Sequence, residues 1–470
     1  MRTFSINTLG CKVNQYEGRQ IHQFLTSLGL EPVQPPEIPD IAVINTCCVT
    51  QTASAKSRSY IHRAQKLAPH AAILICGCLT AASRLGELKC PENHNIHIVK
   101  DRRHIAKRLQ KLLNCTAEPE KLAGPAKHNP TSSKTPIRPA NRPKIKDNNP
   151  AFANYPILPQ LTHFAGHTRA FLKVQDGCDR CCSYCIIPQT RPFVQSGTVT
   201  ELLSEARAFV RAGHREIVLT GVNLGSFGQK TTRRERWPNR QNPKLAELLH
   251  EIAGIPLLPR IRLGSLDPAD ITENLLDVFD KHQNIVPHIH LSIQSASDEV
   301  LRRMARQYTS SELHEKISIL KERLDRPAIT ADIIVGFPGE TERDFQQTIA
   351  LATCAGFAKI HVFGFSPRAG TAAAEMKPKV PSKVIKQRSK ILRDLSDKLA
   401  GQFRQQFLGQ TVSVLIENDS QPSGRCERYF QVFVNGSAGL QKNDIVQAKL
   451  IQNTDNGAVA VLCRESEVTK

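Results

Sequence analysis

The fold and the chemistry both turn on Gln175-Asp-Gly-Cys178-Asp-Arg-Cys181-Cys182-Ser-Tyr184-Cys185-Ile-Ile-Pro188. Cysteines this close together can surround one ion or cluster but are poorly placed to pair with one another. Two frames are open. Cys178-x3-Cys182-x2-Cys185 leaves Cys181 outside, whereas Cys178-x2-Cys181 is a zinc-knuckle frame that needs partners elsewhere. Three thiolates on a four-iron cluster leave one iron open to a substrate ligand, much as catalytic zinc sites keep an open position.

The loop follows a β-rich run, Ala170–Val174, the first of six. The others are Glu216–Thr220, Arg260–Ser265, His288–Ser295, Thr330–Val335 and Lys359–Phe365, with helical runs such as Leu202–Val210 and Leu245–Ile252 between them. Strands alternating with helices predict parallel pairing and a partial (β/α)6 barrel over 166–381, with chemistry at the C-terminal strand ends. A basic insertion, Lys230–Lys244, interrupts it; this insertion has six Lys/Arg, one acid and the only tryptophan, Trp237. Trp237 reads either as part of a flexible loop or as a ring for stacking on a nucleobase.

Residues 1–115 show the same alternation on a smaller scale. Thr3–Leu9, Ile41–Asn45 and Ala71–Ile75 read as strands, and Asn14–Leu28, Thr52–Leu67 and Asp101–Leu113 as helices, so a parallel α/β sheet domain is expected. Cys11, Cys47 and Cys78 each stand just past one of the three strands. In an open parallel sheet such positions converge on one crevice, so three cysteines distant in sequence are expected to meet.

Residues 116–165 are rich in Pro, Lys, Asn and Ser and predict a basic linker. Ser382–Phe407 predicts an amphipathic helix with Ile391, Leu395, Leu399, Phe403 and Phe407 on one face. Alternating runs in 408–470 predict a small antiparallel β-barrel. The chain is therefore an α/β multidomain protein.

Composition sets the outer bounds. Lys plus Arg number 63 against 43 acids, a net charge of +20 that suits a polyanionic partner such as nucleic acid. The 470 residues hold 14 cysteines and no apolar run of the ~20 residues a membrane span needs. The start, Met1-Arg-Thr-Phe-Ser-Ile-Asn, has no secretory apolar core. Reduced thiols that bind metal or react, in a cytoplasmic protein without membrane contact, are expected. Cys90, Cys115, Cys354, Cys426 and Cys463 read as ordinary thiols, and His288 and His290 as packed or hydrogen-bonded.

Cys-x3-Cys-x-Tyr184-Cys resembles the signature of radical S-adenosylmethionine (SAM) enzymes. By that resemblance Cys178, Cys182 and Cys185 are the ligands of a [4Fe-4S] cluster, Cys181 is not, and the open iron is chelated by the amino and carboxylate groups of SAM. One-electron reduction then cleaves SAM to methionine and a 5′-deoxyadenosyl radical. With Thr8-Leu-Gly-Cys11, Asn45-Thr-Cys47 and Gly77-Cys78 added, the chain resembles the methylthiotransferases over nearly its whole length. That match selects Cys47 over Cys48 and Cys78 over Cys76 as ligands, with Cys11, of a second [4Fe-4S] cluster.

Thr220-Gly-Val-Asn223-Leu-Gly-Ser-Phe-Gly228, Leu291-Ser-Ile-Gln294-Ser295, Gly336-Phe-Pro-Gly-Glu-Thr341 and Phe365-Ser-Pro-Arg-Ala-Gly-Thr371 are similar to the family's βα loops, and the tail is similar to its TRAM module, an RNA-binding β-barrel. Departures are Pro192 after Arg191, Gln195, and Ala296 within Gln294-Ser-Ala296-Ser. The resemblance implies SAM or substrate contacts at Tyr184, Thr220, Asn223, Ser265, Gln294 and Asp332.

The implied reaction replaces an aryl C–H by C–SCH3, one SAM giving a methyl group to sulfur and a second giving the radical. Such a hydrogen is too weakly acidic for an ordinary general base. Leu172-Lys-Val-Gln175-Asp-Gly-Cys178 is most similar to the branch acting on N6-threonylcarbamoyladenosine (t6A) at position 37 of tRNA. Other branches act on isopentenyladenosine in tRNA or on an aspartate of a ribosomal protein. The implied partners are tRNA, an electron donor such as flavodoxin or ferredoxin, and a sulfur donor. A reading of another class stays open beside these, a non-catalytic RNA-binding protein whose cysteines hold metal.

Overall fold

The computed structural model describes residues 2–82, 95–115, 158–436 and 439–463. Cys90, the Cys115 side chain and residues 116–157 of the expected linker lie outside the described residues.

The N-terminal region is a five-stranded, all-parallel sheet. Its central strands Thr3–Thr8, Ile41–Thr46 and Ala72–Gly77 are flanked by the short Glu31–Pro32 and Ile96–Ile98. The central strand Ile41–Thr46 is buried along its whole length, as a strand covered on both faces must be. Helix Lys12–Ser27 turns Ile21, Phe24 and Leu25 onto this sheet, while Val13 and Tyr16 are buried nearer its start.

Two strand sets form the larger α/β unit. Arg169–Asp176, Glu216–Gly221 and Arg260–Leu263 pair in parallel, with Gln195–Ser196 antiparallel on the outer edge. Ser265–Leu266, His288–Gln294, Ala328–Val335 and Lys359–Gly364 continue the arc, and a bridge between Ile261 and Ile285 joins the halves. Side chains alternate across it. Ile289, Leu291, Ile293, Ala331, Ile333 and Val335 enter the helix-covered core, which leaves His290, Ser292, Gln294, Thr330, Asp332 and Ile334 facing inward. Helices of the barrel begin with reciprocal Thr caps, as in Thr198/Glu201, Thr309/Glu312 and Thr341/Asp344, which satisfy orphan N–H groups at each strand-to-helix turn.

The tail forms a closed five-stranded barrel that includes a strand not expected from the sequence, Ser423–Cys426. Its pairings are antiparallel except for the parallel one between Gln431–Asn435 and Gly457–Leu462. This small barrel closes the floor of the large one. Tyr429, at φ +71°, lies 4.7 Å from the His288 ring and beneath Arg169, Arg262 and Arg425. Arg260 and Arg262 hydrogen-bond across the junction to carbonyls of Ser413, Arg425 and Glu427 and anchor to buried Glu216. Burial would raise the Glu216 carboxyl, but Arg262 and Arg260 outweigh it and hold it low.

Three expectations need correction. Residues 158–165 do not behave as linker, since Leu161 and Phe164 are fully buried between the two α/β regions. Helix Ser382–Gln405 buries Arg388, Ser389, Leu392, Ser396, Leu399 and Phe403 but leaves Ile391 42% exposed. Steps of four residues drift round a 3.6-residue helix, so a strict four-apart stripe leaves the buried face at its end. Trp237 is neither mobile nor presented for stacking. It is 5% exposed, donates from Nε1 to Thr231 O at 2.9 Å and lies under the Arg234 guanidinium.

Candidate functional site

The loop after strand Arg169–Asp176 turns at Gly177, where φ is +77° and any Cβ would collide with the Phe193 carbonyl. Backbone bonds pin it beyond that point: Cys178 N to Arg191 O at 2.9 Å, Ser183 N to Met304 O at 3.0 Å and Cys185 N to Cys182 O at 3.1 Å. The thiols of Cys178, Cys182 and Cys185 lie close enough for their charges to repel. Burial pushes Cys185 up to about 12, with Cys182 and Cys178 adding to the rise. Cys181 is exposed.

A set of buried charges surrounds this loop. Arg306 Nη1 donates to Cys182 Sγ at 3.7 Å and to the Tyr184 hydroxyl at 3.4 Å, and Nη2 reaches Asp267 at 2.7 Å. Asp267 also takes Arg180 at 2.5 Å. The basic insertion is part of the site wall. Thr232 Oγ1 lies 3.4 Å from Cys178 Sγ, Thr232 N and Thr231 Oγ1 both donate to Asp179 at 2.7 Å, and buried Trp237 holds the segment down.

Cys11, Cys47 and Cys78 meet at the carboxyl edge of the N-terminal sheet. Gly10, at φ +101°, leaves room that a Cβ would take 2.8 Å from Cys47 Sγ. Asn14 Nδ2 donates to Leu9 O and Thr46 O at 2.8 Å each, and Asn45 Nδ2 to Asn14 O at 2.9 Å, knitting two strand ends to the first helix. Burial pushes Cys47 up to about 11, Cys78 and Cys11 add to it, and Arg191 works against it. Cys76 points into the sheet core, and Cys48 packs with Leu79 and with Ile186 of the other cysteine loop.

Arg191 joins the two sites. Its Nη1 donates to Glu17 at 2.9 Å and Asp176 at 2.6 Å, and its Nη2 to Asn14 and Glu17 at 2.8 Å each. Arg102 and Lys173 bridge the same two carboxylates at 3.3–3.5 Å. Burial would raise Glu17, but Arg191, Arg102 and Lys173 outweigh it and hold the carboxyl at about 2. Three cations on two anions leave one positive charge beside Cys11, Cys47 and Cys78. Three converging thiols faced by a net cation suit a metal cluster whose own charge stabilises the thiolates and whose residual negative charge the cation offsets. The same donor chemistry, with Arg306 on Cys182, holds at the other triad.

Of the remaining predicted residues, Tyr184 packs near Met304 and Phe337, and Thr220 is buried at its strand end. Asn223 donates its N–H to Gln175 Oε1 at 2.7 Å, while its own Oδ1 is buried without a partner, an acceptor awaiting a donor. Ser265 is exposed, and Gln294 sits at φ +69° where the strand register shifts. Asp332 lies deeper, 3.2 Å from His290 Nε2. His288 and His290 are both hydrogen-bonded to Thr330. Cys354 is exposed, Cys426 buried and Cys463 half-buried, all outside the two sites. Asn14, Glu17, Arg191 and Arg306 are the site residues that sequence reasoning did not assign. Asn14 stands one helical turn from Cys11 and Glu17 one turn from Asn14, and that was the available signal.

An arc of parallel strands with a three-cysteine loop at its C-terminal edge defines a radical SAM enzyme. Residues 172–352 match the radical SAM superfamily, and residues 3–98 match the uncharacterized protein family UPF0004. The threonylcarbamoyladenosine tRNA methylthiotransferase MtaB of Bacillus subtilis is 32% identical over 96% of this chain and 94% of its own length. The protein of that name from Chlamydia pneumoniae is 34% identical over 88% and 87%. A tRNA-2-methylthio-N(6)-dimethylallyladenosine synthase of Geobacillus kaustophilus is 30% identical over 89% and 73%. The chain belongs to the methylthiotransferase family of radical SAM enzymes. That family membership implies a [4Fe-4S] cluster and SAM. The radical SAM methyltransferase TsrM of Kitasatospora setae shares the fold at 13% identity and a TM-score of 0.50, over 80% of this chain and 74% of that one. No helix among the described residues is long and apolar enough to cross a membrane.

Proposed function

We propose that this enzyme places a methylthio group on carbon 2 of t6A beside the tRNA anticodon, drawing on an electron donor and a sulfur donor. The observation that carries the chemistry is the pair of cysteine triads, three and three, locked together through Arg191. When bound, a [4Fe-4S] cluster at Cys178, Cys182 and Cys185 supplies the electron that cleaves SAM, and a second at Cys11, Cys47 and Cys78 supplies the sulfur.

The chain's own groups tune and confine this chemistry. Arg306, itself braced by Asp267, offsets thiolate charge at Cys182 and orients Tyr184. The unpartnered Asn223 oxygen accepts from a bound amine or hydroxyl. Tyr429 and its arginines seal the barrel floor, so substrate enters from the strand-end side. A net charge of +20 favours a phosphate backbone as the partner.

Relatives named for t6A reach 32–34% identity and those named for dimethylallyladenosine 30–32%, so the latter substrate is the second reading. Nucleoside mass spectrometry of total tRNA, with and without the gene, tests both. Loss of methylthio-t6A with accumulation of t6A is expected. Loss of the isopentenyl counterpart would overturn the substrate and keep the chemistry. No change in either would overturn the tRNA assignment.

A further inference from the structure

The basic stretch Lys230–Lys244 and the compact cysteine loop are clasped together residue by residue. Asp179 receives three hydrogen bonds from the stretch, each at 2.7 Å: Thr232 N and Thr232 Oγ1 donate to Oδ1, and Thr231 Oγ1 donates to Oδ2. Three more run the other way or along the backbone. Asp179 N donates to Thr232 Oγ1 at 3.1 Å, Arg180 Nε to Thr232 O at 3.0 Å and Arg233 Nε to Asp179 O at 2.9 Å. The clasp is itself braced. Trp237 Nε1 donates to Thr231 O, and Asn242 Nδ2 ties the far end of the stretch to the carbonyls of Gly225 and Phe227 at 2.8 and 2.9 Å.

This bracing fixes the place of one hydroxyl. Thr232 is fully buried, and its Oγ1 lies 3.4 Å from Cys178 Sγ. A threonine hydroxyl has one proton to give, and here two acceptors stand within reach, Asp179 Oδ1 and Cys178 Sγ. A cysteine that ligates metal does so as the thiolate and carries no proton, so across that contact only Thr232 can donate. Asp179 can release the proton, because it keeps the Thr232 N–H on one oxygen and the Thr231 hydroxyl on the other. Cys178 is also buried, and a hydrogen bond in such a site is stronger than the same bond in water.

Resting on the reading of Cys178 as a cluster ligand, we propose that Thr232 is a positioning residue whose hydroxyl donates to the Cys178 sulfur and sets the reduction potential of the cluster held there. A donor on a cluster sulfur stabilises the reduced state, which carries one more negative charge, and so raises the potential. Arg306 Nη1 stands in the same relation to Cys182 Sγ at 3.7 Å. Two of the three ligand sulfurs thus face a side-chain donor, and one of those donors comes from a stretch whose composition is that of a loop. Its work is to govern how readily the enzyme takes up the electron that SAM cleavage needs.

The test is a redox titration of the full, cluster-loaded enzyme without oxygen, read by electron paramagnetic resonance of the signal that added SAM perturbs. Thr232→Val and Thr232→Ala lack the hydroxyl, Thr232→Ser keeps it, and Thr231→Val breaks one clasp bond without touching Cys178. In the two hydroxyl-free variants the ratio of reduced to oxidised cluster at a fixed potential is expected to fall roughly tenfold, the scale of one hydrogen bond to a charged acceptor. For one electron that is a shift of ~59 mV to lower potential. Thr232→Ser and Thr231→Val are expected to keep the wild-type midpoint, and all four variants the wild-type iron content. An unchanged midpoint in both hydroxyl-free variants would overturn the role of Thr232. So would an equal shift in Thr232→Ser or Thr231→Val, or loss of iron from both hydroxyl-free variants, either of which would leave only a structural clasp. A wild type with no signal that SAM perturbs would overturn the reading of Cys178 as a ligand, and this inference with it.

Discussion

The two cysteine sites are built in opposite ways. Cys178, Cys182 and Cys185 come from one loop of eight residues, held by backbone bonds made largely within its own surroundings. Cys11, Cys47 and Cys78 come from three loops, brought together by the register of a parallel sheet and by Asn14 and Asn45. The first is a local device that would survive modest shifts of the sheet. The second exists only while three strands and one helix keep their places. Even so, both meet at Arg191, which follows the compact loop in sequence and lies beside the dispersed one in space.

The largest effect that sharpens this comparison lies within the compact loop. Cys182→Ala should reduce SAM cleavage, read as 5′-deoxyadenosine by chromatography, to background. Cys181→Ala, one residue earlier and exposed, should leave it near wild type. Equal loss in both would make the compact site a different frame.

Next comes the junction. Arg191→Gln removes a cation from two buried carboxylates and should destabilise the protein by about 3–5 kcal/mol, read in denaturant unfolding. A loss under ~1 kcal/mol would show that Arg102 and Lys173 suffice without it.

The same junction sets a pH signature. Glu17 has its folded pKa lowered to about 2 from 4.5, so its stabilisation is present above pH 4.5 and is lost as pH falls towards 2. Glu205, on helix Val199–Arg211 and hydrogen-bonded by Tyr16 at 2.7 Å, is pushed by burial up to about 7. Its neutral form favours the fold, so stability should fall as pH rises from 4.5 to 7. Glu205→Gln should flatten that upper limb and leave the acid limb, as measured by thermal unfolding against pH.

The smallest effect lies away from both triads. Thr341→Ala removes the cap of helix Glu342–Ala355 and should cost about 1 kcal/mol with SAM cleavage unchanged.

The compact site was legible because its signal is local: four cysteines in fixed spacing after a strand. The dispersed site was legible at one remove, since strand ends in a parallel sheet share an edge. What escaped were single charges acting across long sequence separations. Arg306 lies 124 residues from Cys182 and Arg191 lies 174 from Glu17, and nothing in spacing or periodicity distinguishes them among 63 Lys/Arg. Trp237 was misjudged because a basic, proline-containing stretch has loop composition even where it packs as a wall, and Ser423–Cys426 was missed because Gly424 and its neighbours carry no β-branched pattern.

Under the proposed function the two cysteine sites do separate work. The most direct measurement is iron content, electron paramagnetic resonance of the reduced protein and product analysis on the variant with Cys11, Cys47 and Cys78 all changed to alanine. The expected result is a folded protein with roughly half the iron of the wild type, one reducible [4Fe-4S] signal, SAM still cleaved and no methylthio product. Loss of the remaining cluster and of SAM cleavage as well would show the two triads to be one unit, and would contradict the division of labour between them.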